Sequence, residues 1–370
     1  MPYLLAFAFS SFLAFAADKT RRFCIPLLVM SSLPLLFLGT IRSPRVGTDN
    51  FFFFQKIYMW AGGYHSFSSF MDAMGSGDLL SYAYFYYVRA ISPDYHFFCF
   101  FTILTSLSIF YVSLFLLKDK FPMWVALLLY NFLFFCPMLC FVRQSMALSV
   151  CLLSLYFVFK RKLICFLLCI FVATLFHMSA CFFVVVYFLN LYLEKENCQV
   201  YRSFLTLAVF SVMVFAFLFL LPQLTLTMIS TGDRSTTLID RYISTDENQG
   251  TIRHAIFMVI LHSPLALMPV FIMRKIRTAK MFPLEIVVAI GVLTEMLGFQ
   301  DPHIHRLAYY FLAPSLFLLA YVSKQSKVLM MMSILYAMIY YFRQVVFNGL
   351  AFSLPVYPYM SDVYYFENVF

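Results

Sequence analysis

The chain has 370 residues, of which 63% are hydrophobic, 20% aromatic and only 12% charged, and its mean hydropathy is +0.86. Soluble domains carry about 25% charged residues, so this composition excludes a soluble globular protein. The net charge of +9 would speak for nucleic acid in a soluble chain, but here lysines and arginines flank apolar segments, and no nucleic-acid partner is expected.

Apolar runs of about 17 to 25 residues recur from end to end, enough to cross a bilayer as helices. They are continuous, without the alternation of a barrel strand. The fold class read from them is all-α, a polytopic transmembrane helical bundle of about 12 spans in one integral membrane domain over residues 1–370. Spans are predicted near 3–17, 23–40, 97–117, 123–141, 144–159, 163–177, 179–191, 203–222, 254–273, 283–299, 307–322 and 328–342. At the N-terminus, MPYLLAFAFSSFLAFAADKTRR places its charges after the apolar stretch, the reverse of a secretory signal, and reads as a first helix. Six of the nine cysteines lie inside apolar runs without zinc spacing and read as small core residues.

Basic connectors at 18–22, 118–120, 160–162, 274–280 and 323–327 fix one face as cytoplasmic. The parity works if residues 79–93 lie outside without crossing and 163–191 crosses twice, turning near Phe176-His177-Met178. The outer face then keeps one lysine, Lys56, but nine of the fifteen arginines. Lysine would serve as well for snorkelling anchors, whereas arginine's planar fork suits phosphate and carboxylate. The outer face therefore reads as the working face, with loops 41–96 and 223–253 forming its substrate side.

Five constellations lie there. In RSPRVGTDNFFFF (42–54), Gly47 permits a turn; Arg42 and Arg45 read as phosphate ligands, while Asp49 reads either as a helix cap or as an acid near a sugar. The aromatic residues that follow offer faces for sugar rings. In FVRQSMALSV (141–150), Arg143-Gln144 is an interfacial anchor or a ligand pair, costly if structural. In ATLFHMSACFF (173–183), His177 is a satisfied structural residue or a proton shuttle. GDRSTTLIDRYISTDENQG (232–250) is a solvated loop or a substrate grip through Arg241 and Tyr242. DPHIHRLAYYF (301–311) favours Arg306 as an anion ligand over a metal, because no third ligand accompanies its H-x-H pair.

In order and spacing, R-x-x-R-V-G-T-D, V-R-Q-S-M-A, F-H-M-S-A, D-R-Y and H-R-L-A-Y-Y-F resemble the EpsG-like branch of the Wzy-type bacterial polysaccharide polymerases, over about residues 35–322. The resemblance implies a bundle related to C-type glycosyltransferases, in the bacterial inner membrane with its site facing the periplasm or exterior. It implies transfer of a growing glycan from undecaprenyl diphosphate onto the next lipid-linked repeat unit. On that reading Asp49 or His177 is the general base. Arg42, Arg45, Arg143, Gln144, Arg241 and Arg306 bind the diphosphate, and Phe53, Tyr58, Trp60 and Tyr242 contact sugar. Neither metal nor cofactor is called for; the expected partners are the undecaprenyl-diphosphate-linked glycans, the lipid bilayer, a chain-length regulator and a flippase. A lipid-linked oligosaccharide flippase and a membrane polysaccharide O-acetyltransferase are the alternatives. The first would show related halves, the second a histidine on the cytoplasmic side.

Overall fold

The computed structural model describes residues 2–20, 22–47, 49–75, 77–193, 261–262, 264–265, 282–297, 302–347 and 359–361, and among them every regular element is helical. A chain this apolar has no water to satisfy its backbone in a bilayer, and helices close those bonds internally. The expected spans at 203–222 and, for the most part, 254–273 lie outside the described residues.

The chain divides into two units, Met1–Phe188 with Leu316–Phe370, and Leu189–Ser315. In the first, α1 (Pro2–Lys19) and α2 (Cys24–Ile41) precede a π turn (Asn50–Phe54) that runs into α3 (Gln55–Ala61). Then come α4 (Phe67–Met74), α5 (Leu79–Ile91), α6 (Tyr95–Leu116), α7 (Met123–Cys140), α8 (Val142–Phe159) and α9 (Leu163–Phe176). A 3-10 segment (Met178–Val184) leads to α10 (Val185–Leu193). In the second unit α11 (Phe282–Leu297) packs on α12 (Pro302–Leu312); α13 (Ser315–Gln325) and α14 (Lys327–Tyr341) return to the first.

Among the described residues five helices are long and apolar enough to cross a membrane: Cys24–Ile41, Tyr95–Leu116, Met123–Cys140, Val142–Phe159 and Arg306–Gln325; Leu163–Phe176, Met178–Tyr192 and Lys327–Tyr341 are apolar but shorter. The protein is thus a multi-pass membrane protein. Its α5 has 13 residues, short of the roughly 20 that a span needs.

In the first unit α2 packs between α1 and α6, α6 on α8, and α8 on α9. Small residues allow the approach. A Cβ on Gly39 of α2 would stand 2.8 Å from the Ile103 side chain of α6, and Ser106 meets Ser145 across α6 and α8 at 3.2 Å. Helix α7 contains a π turn at Asn131–Phe135, immediately before Pro137. Proline supplies no N–H and crowds the preceding turn, and a wider turn there accommodates it. Breaks at Phe141 (φ −106°, ψ 66°) and at the extended His177 (φ −155°, ψ 118°) end α7 and α9. Each break puts a charged or polar side chain, Arg143 or His177, at a helix end.

The turn between α2 and α3 depends on Gly47, whose φ of +98° lies in the left-handed region and whose Cβ would meet Asn50 Nδ2 at 2.8 Å and the Cys140 backbone at 3.0 Å. Gly47→Ala is therefore expected to cost about 1–3 kcal/mol, read as a lowered melting temperature in detergent. An unchanged melting temperature would show that the turn tolerates a side chain.

Candidate active site

The sequence G-S-G-D links α4 to α5. Gly75 leaves α4 at φ +80°, and Asp78 follows as the residue before α5. An aspartate there ordinarily caps its own helix, but Asp78 makes no such bond. Its carboxylate instead bridges to two other elements. Oδ1 accepts the backbone N–H of Met178 at 2.9 Å, and Oδ2 lies 3.1 Å from His177 Nδ1 and 2.7 Å from Arg143 Nη1. Met178 is the first residue of the 3-10 segment, so Asp78 caps that segment from a distance of 100 positions in the chain. Ser81, on the first turn of α5, fastens the same junction by donating to the Phe176 carbonyl at 2.7 Å.

Arg143 is the second residue of α8, where the helix dipole disfavours a cation. The Asp78 carboxylate offsets that cost. So do aromatic faces: the guanidinium carbon lies 5.1, 5.6 and 5.9 Å from the ring centroids of Phe53, Phe54 and Tyr82. The three polar side chains keep 7% (Asp78), 19% (Arg143) and 21% (His177) of their surface exposed. The carboxylate is thus sheltered, while the cation and the imidazole each present an edge outward.

Burial would raise the Asp78 pKa, but the bond from His177, the charges of His177 and Arg143 and the Met178 N–H outweigh it and hold the carboxyl below its ordinary value. A depressed folded pKa contributes stability that is fully present above the unfolded value, near 3.9, and is lost as pH falls through the folded one. The melting temperature should therefore lose an Asp78-dependent component only below about pH 4, and Asp78→Asn should abolish that component. Identical acid profiles for the two proteins would show that the carboxylate does not titrate as described.

A model of the EpsG family matches residues 25–361. The chain belongs to the EpsG family. EpsG-like proteins are Wzy-type polysaccharide polymerases, and the matched span includes all three members of the Asp78–Arg143–His177 cluster. No curated protein and no solved structure matches the chain significantly.

Within this EpsG-family chain, the residues singled out from the sequence separate by burial. Arg143 and His177 stand together on one carboxylate, and Phe53, 40% exposed, lies against Arg143. Trp60 is exposed on α3. Arg45 is exposed, and Asp49 is half-buried before the π turn without capping it. Arg306 is half-buried on α12 in the second unit. Arg241 and Tyr242 lie outside the described residues.

Three expectations need correction. Arg42 is completely buried; its Nη2 donates to Asn50 Oδ1 at 3.4 Å, and Asn50 in turn donates to the Val46 and Leu139 carbonyls at 2.6 and 2.8 Å. It braces the loop and has no surface for a diphosphate. Tyr58 is equally buried, packs on Phe98 and donates its hydroxyl to the Ser92 carbonyl, so it presents no face to a sugar. Gln144 is 2% exposed, on the inward side of α8. The carboxylate on His177 belongs to Asp78, which the sequence reading passed over. An arginine and an imidazole predicted on one face, Arg143 and His177, called for a nearby carboxylate, and an acid one residue before a helix in the same outer loop was the available signal. Among the described residues no group of three or more metal-ligating side chains occurs.

Proposed function

We propose that this EpsG-family protein extends a polysaccharide by moving a growing glycan from undecaprenyl diphosphate onto the next lipid-linked repeat unit at the outer leaflet of the bacterial inner membrane. The observation that carries the reading is the Asp78–His177–Arg143 cluster. A carboxylate that accepts His177 Nδ1–H fixes the tautomer and leaves the Nε2 lone pair free to take a proton. His177 Nε2 removes the proton of the acceptor hydroxyl as its oxygen attacks the anomeric carbon of the donor sugar. The bond from that carbon to the diphosphate oxygen breaks, and the electron pair leaves with the diphosphate. Arg143 has five N–H donors and engages Asp78 through one end, so its outward edge is available to the leaving charge.

Arg45, Arg241 and Arg306 are assigned as further diphosphate ligands on the strength of the arginine bias of the outer face. Phe53, Trp60 and Tyr242 are assigned as sugar platforms, and Asp49 as an acid close to the acceptor. About 12 spans in one membrane domain, related to C-type glycosyltransferases, with loops 41–96 and 223–253 facing outward, complete the reading. A flippase and a chain-length regulator are its expected partners.

Deletion of the chain is the direct test. A polymerase deletion is expected to leave single repeat units, already exported, on the carrier or its final acceptor, while the wild-type copy restores long chains on gels. Accumulation of unpolymerised units on the cytoplasmic side would overturn this reading in favour of a flippase. A polymer of normal length lacking acetyl groups would indicate an acetyltransferase.

A further inference from the structure

Away from the Asp78 cluster, α2 and α6 enclose a groove. The two helices touch near their ends beside the site, where Gly39 meets Ile103 and His96 Nδ1 lies 3.0 Å from the Thr40 carbonyl. From Leu36 and Leu104 a groove of about 420 Å³ runs along the two helices to Ile25 on α2 and to Phe115 and Leu116 on α6. Its walls are apolar. Two of their polar groups are bonded within the helix pair: Ser32 donates to the Val29 carbonyl at 2.7 Å, and the Tyr111 hydroxyl is bound by Ser31 at 3.2 Å. The outer rims, Val29, Leu33 and Val112, are about half exposed, so the groove opens sideways, as a site loaded from the bilayer must.

The far end is cationic. Lys118 is exposed, and its Nζ lies 4.0 Å from the centroid of Phe115, itself a groove wall. Arg22 is exposed three positions before Ile25, and Lys19 is exposed at the end of α1. Of the two acids at this end, Asp18 is occupied in accepting the Trp124 backbone N–H at 3.1 Å, and Asp119 adjoins Lys118 in the α6–α7 connector. The cations outnumber the acids at the mouth of an apolar slot. A helix surface that met only bulk lipid would require neither the concavity nor an ammonium group seated on its wall.

We propose that the α2–α6 groove is a binding site for one anionic phospholipid, with an acyl chain between the helices and the phosphate at Lys118 and Arg22. A lysine or arginine near an anionic headgroup favours it by about fivefold per cation, and that preference separates a specific site from ordinary solvation by lipid. The site lies at the end of α2 and α6 opposite the Asp78 cluster, so its occupancy is independent of the polymerase assignment.

The test uses the full-length protein in mixed micelles with a photoactivatable phosphatidylglycerol carrying a diazirine on one acyl chain, and a phosphatidylcholine with the same chain. Peptide mapping is expected to place phosphatidylglycerol adducts on Val29, Leu33 and Val112, about 25-fold above phosphatidylcholine for the two cations together. Lys118→Glu should erase the headgroup preference while the chain still labels the groove. Ser108→Trp, which fills the slot from an exposed position, should remove the adducts altogether. Equal labelling by the two lipids, or labelling that survives Ser108→Trp, would overturn the site. Displacement of the probe by undecaprenyl phosphate in preference to unlabelled phosphatidylglycerol would overturn the phospholipid as occupant and install a polyprenyl chain.

Discussion

Asp78→Asn is expected to reduce polymerisation by roughly 10⁴-fold while leaving a folded protein. The change is nearly isosteric, so the Asn carbonyl oxygen can still accept from Met178 N–H and keep the 3-10 segment capped. What it cannot do is receive a proton donor from both remaining partners. With the carbonyl kept on Met178 N–H, the amide N–H₂ takes the place of Oδ2 and faces both partners: it forces His177 Nδ1 to become an acceptor and sets donor against donor at Arg143. The first of these effects places the ring proton on Nε2, the atom proposed to take a proton from the acceptor sugar. Asp78 thus acts through His177 as a positioning residue, and the two should behave as a unit. Adding Asp78→Asn to His177→Ala is expected to change turnover little, because there is no imidazole left to orient. Turnover measured with lipid-linked donor, alongside chain lengths on gels, reads both outcomes. Additive losses in the double variant would refute the relay and leave Asp78 as a simple counter-ion.

Asp78→Ala tests the structural share separately. It strands Arg143 at a helix N-terminus and uncaps the segment after His177. Loss of one partner from a buried pair costs about 3–5 kcal/mol, and the residual 19% exposure of Arg143 places this case at or below the lower end. A destabilised Asp78→Ala beside a stable but inactive Asp78→Asn would separate packing from proton transfer.

Much of the scaffold was legible in the chain because its signals are local. Uninterrupted apolar runs specify helices in a bilayer, and Arg143 and His177 mark two of the places where those helices stop. The expectation that residues 79–93 do not cross came from the parity of the basic connectors; the structure forms the 13-residue α5, Leu79–Ile91, within them. The errors have one physical source, which is that burial belongs to the fold and not to residue type. Arg42 and Arg45 look equivalent in R-x-x-R, yet the turn at Gly47 drives the first into the core and leaves the second in solvent. Tyr58 and Trp60 sit two apart on α3 and fall on opposite sides of that short helix, one buried and one exposed. Asp78 escaped notice because G-S-G-D has the composition of a solvated turn, and its partners are 65 and 99 positions away in the chain.

Arg143 carries the other large expectation. Arg143→Ala should lower turnover by about 10²–10³-fold, the scale of losing one preorganised group aimed at developing negative charge. Arg143→Lys discriminates between two accounts of that loss. Lysine would restore a cation beside Asp78 and keep α5 docked, so stability should approach that of the wild type. Its compact ammonium cannot, however, hold Asp78 with one edge and a diphosphate with the other, and it cannot lie as a plane against Phe53 and Phe54. The lysine protein is therefore expected to be stable yet to recover only part of the activity lost in Arg143→Ala, with the deficit in the chemical step rather than in acceptor binding. Full activity in Arg143→Lys would mean that a point charge suffices and that the arginine serves Asp78 alone. The diphosphate contact would then have to come from Arg45 or another of the outer arginines. A stable, impaired lysine variant would instead tie the shape of the guanidinium to the leaving group, and with it the excess of arginine over lysine on the face predicted to be outside.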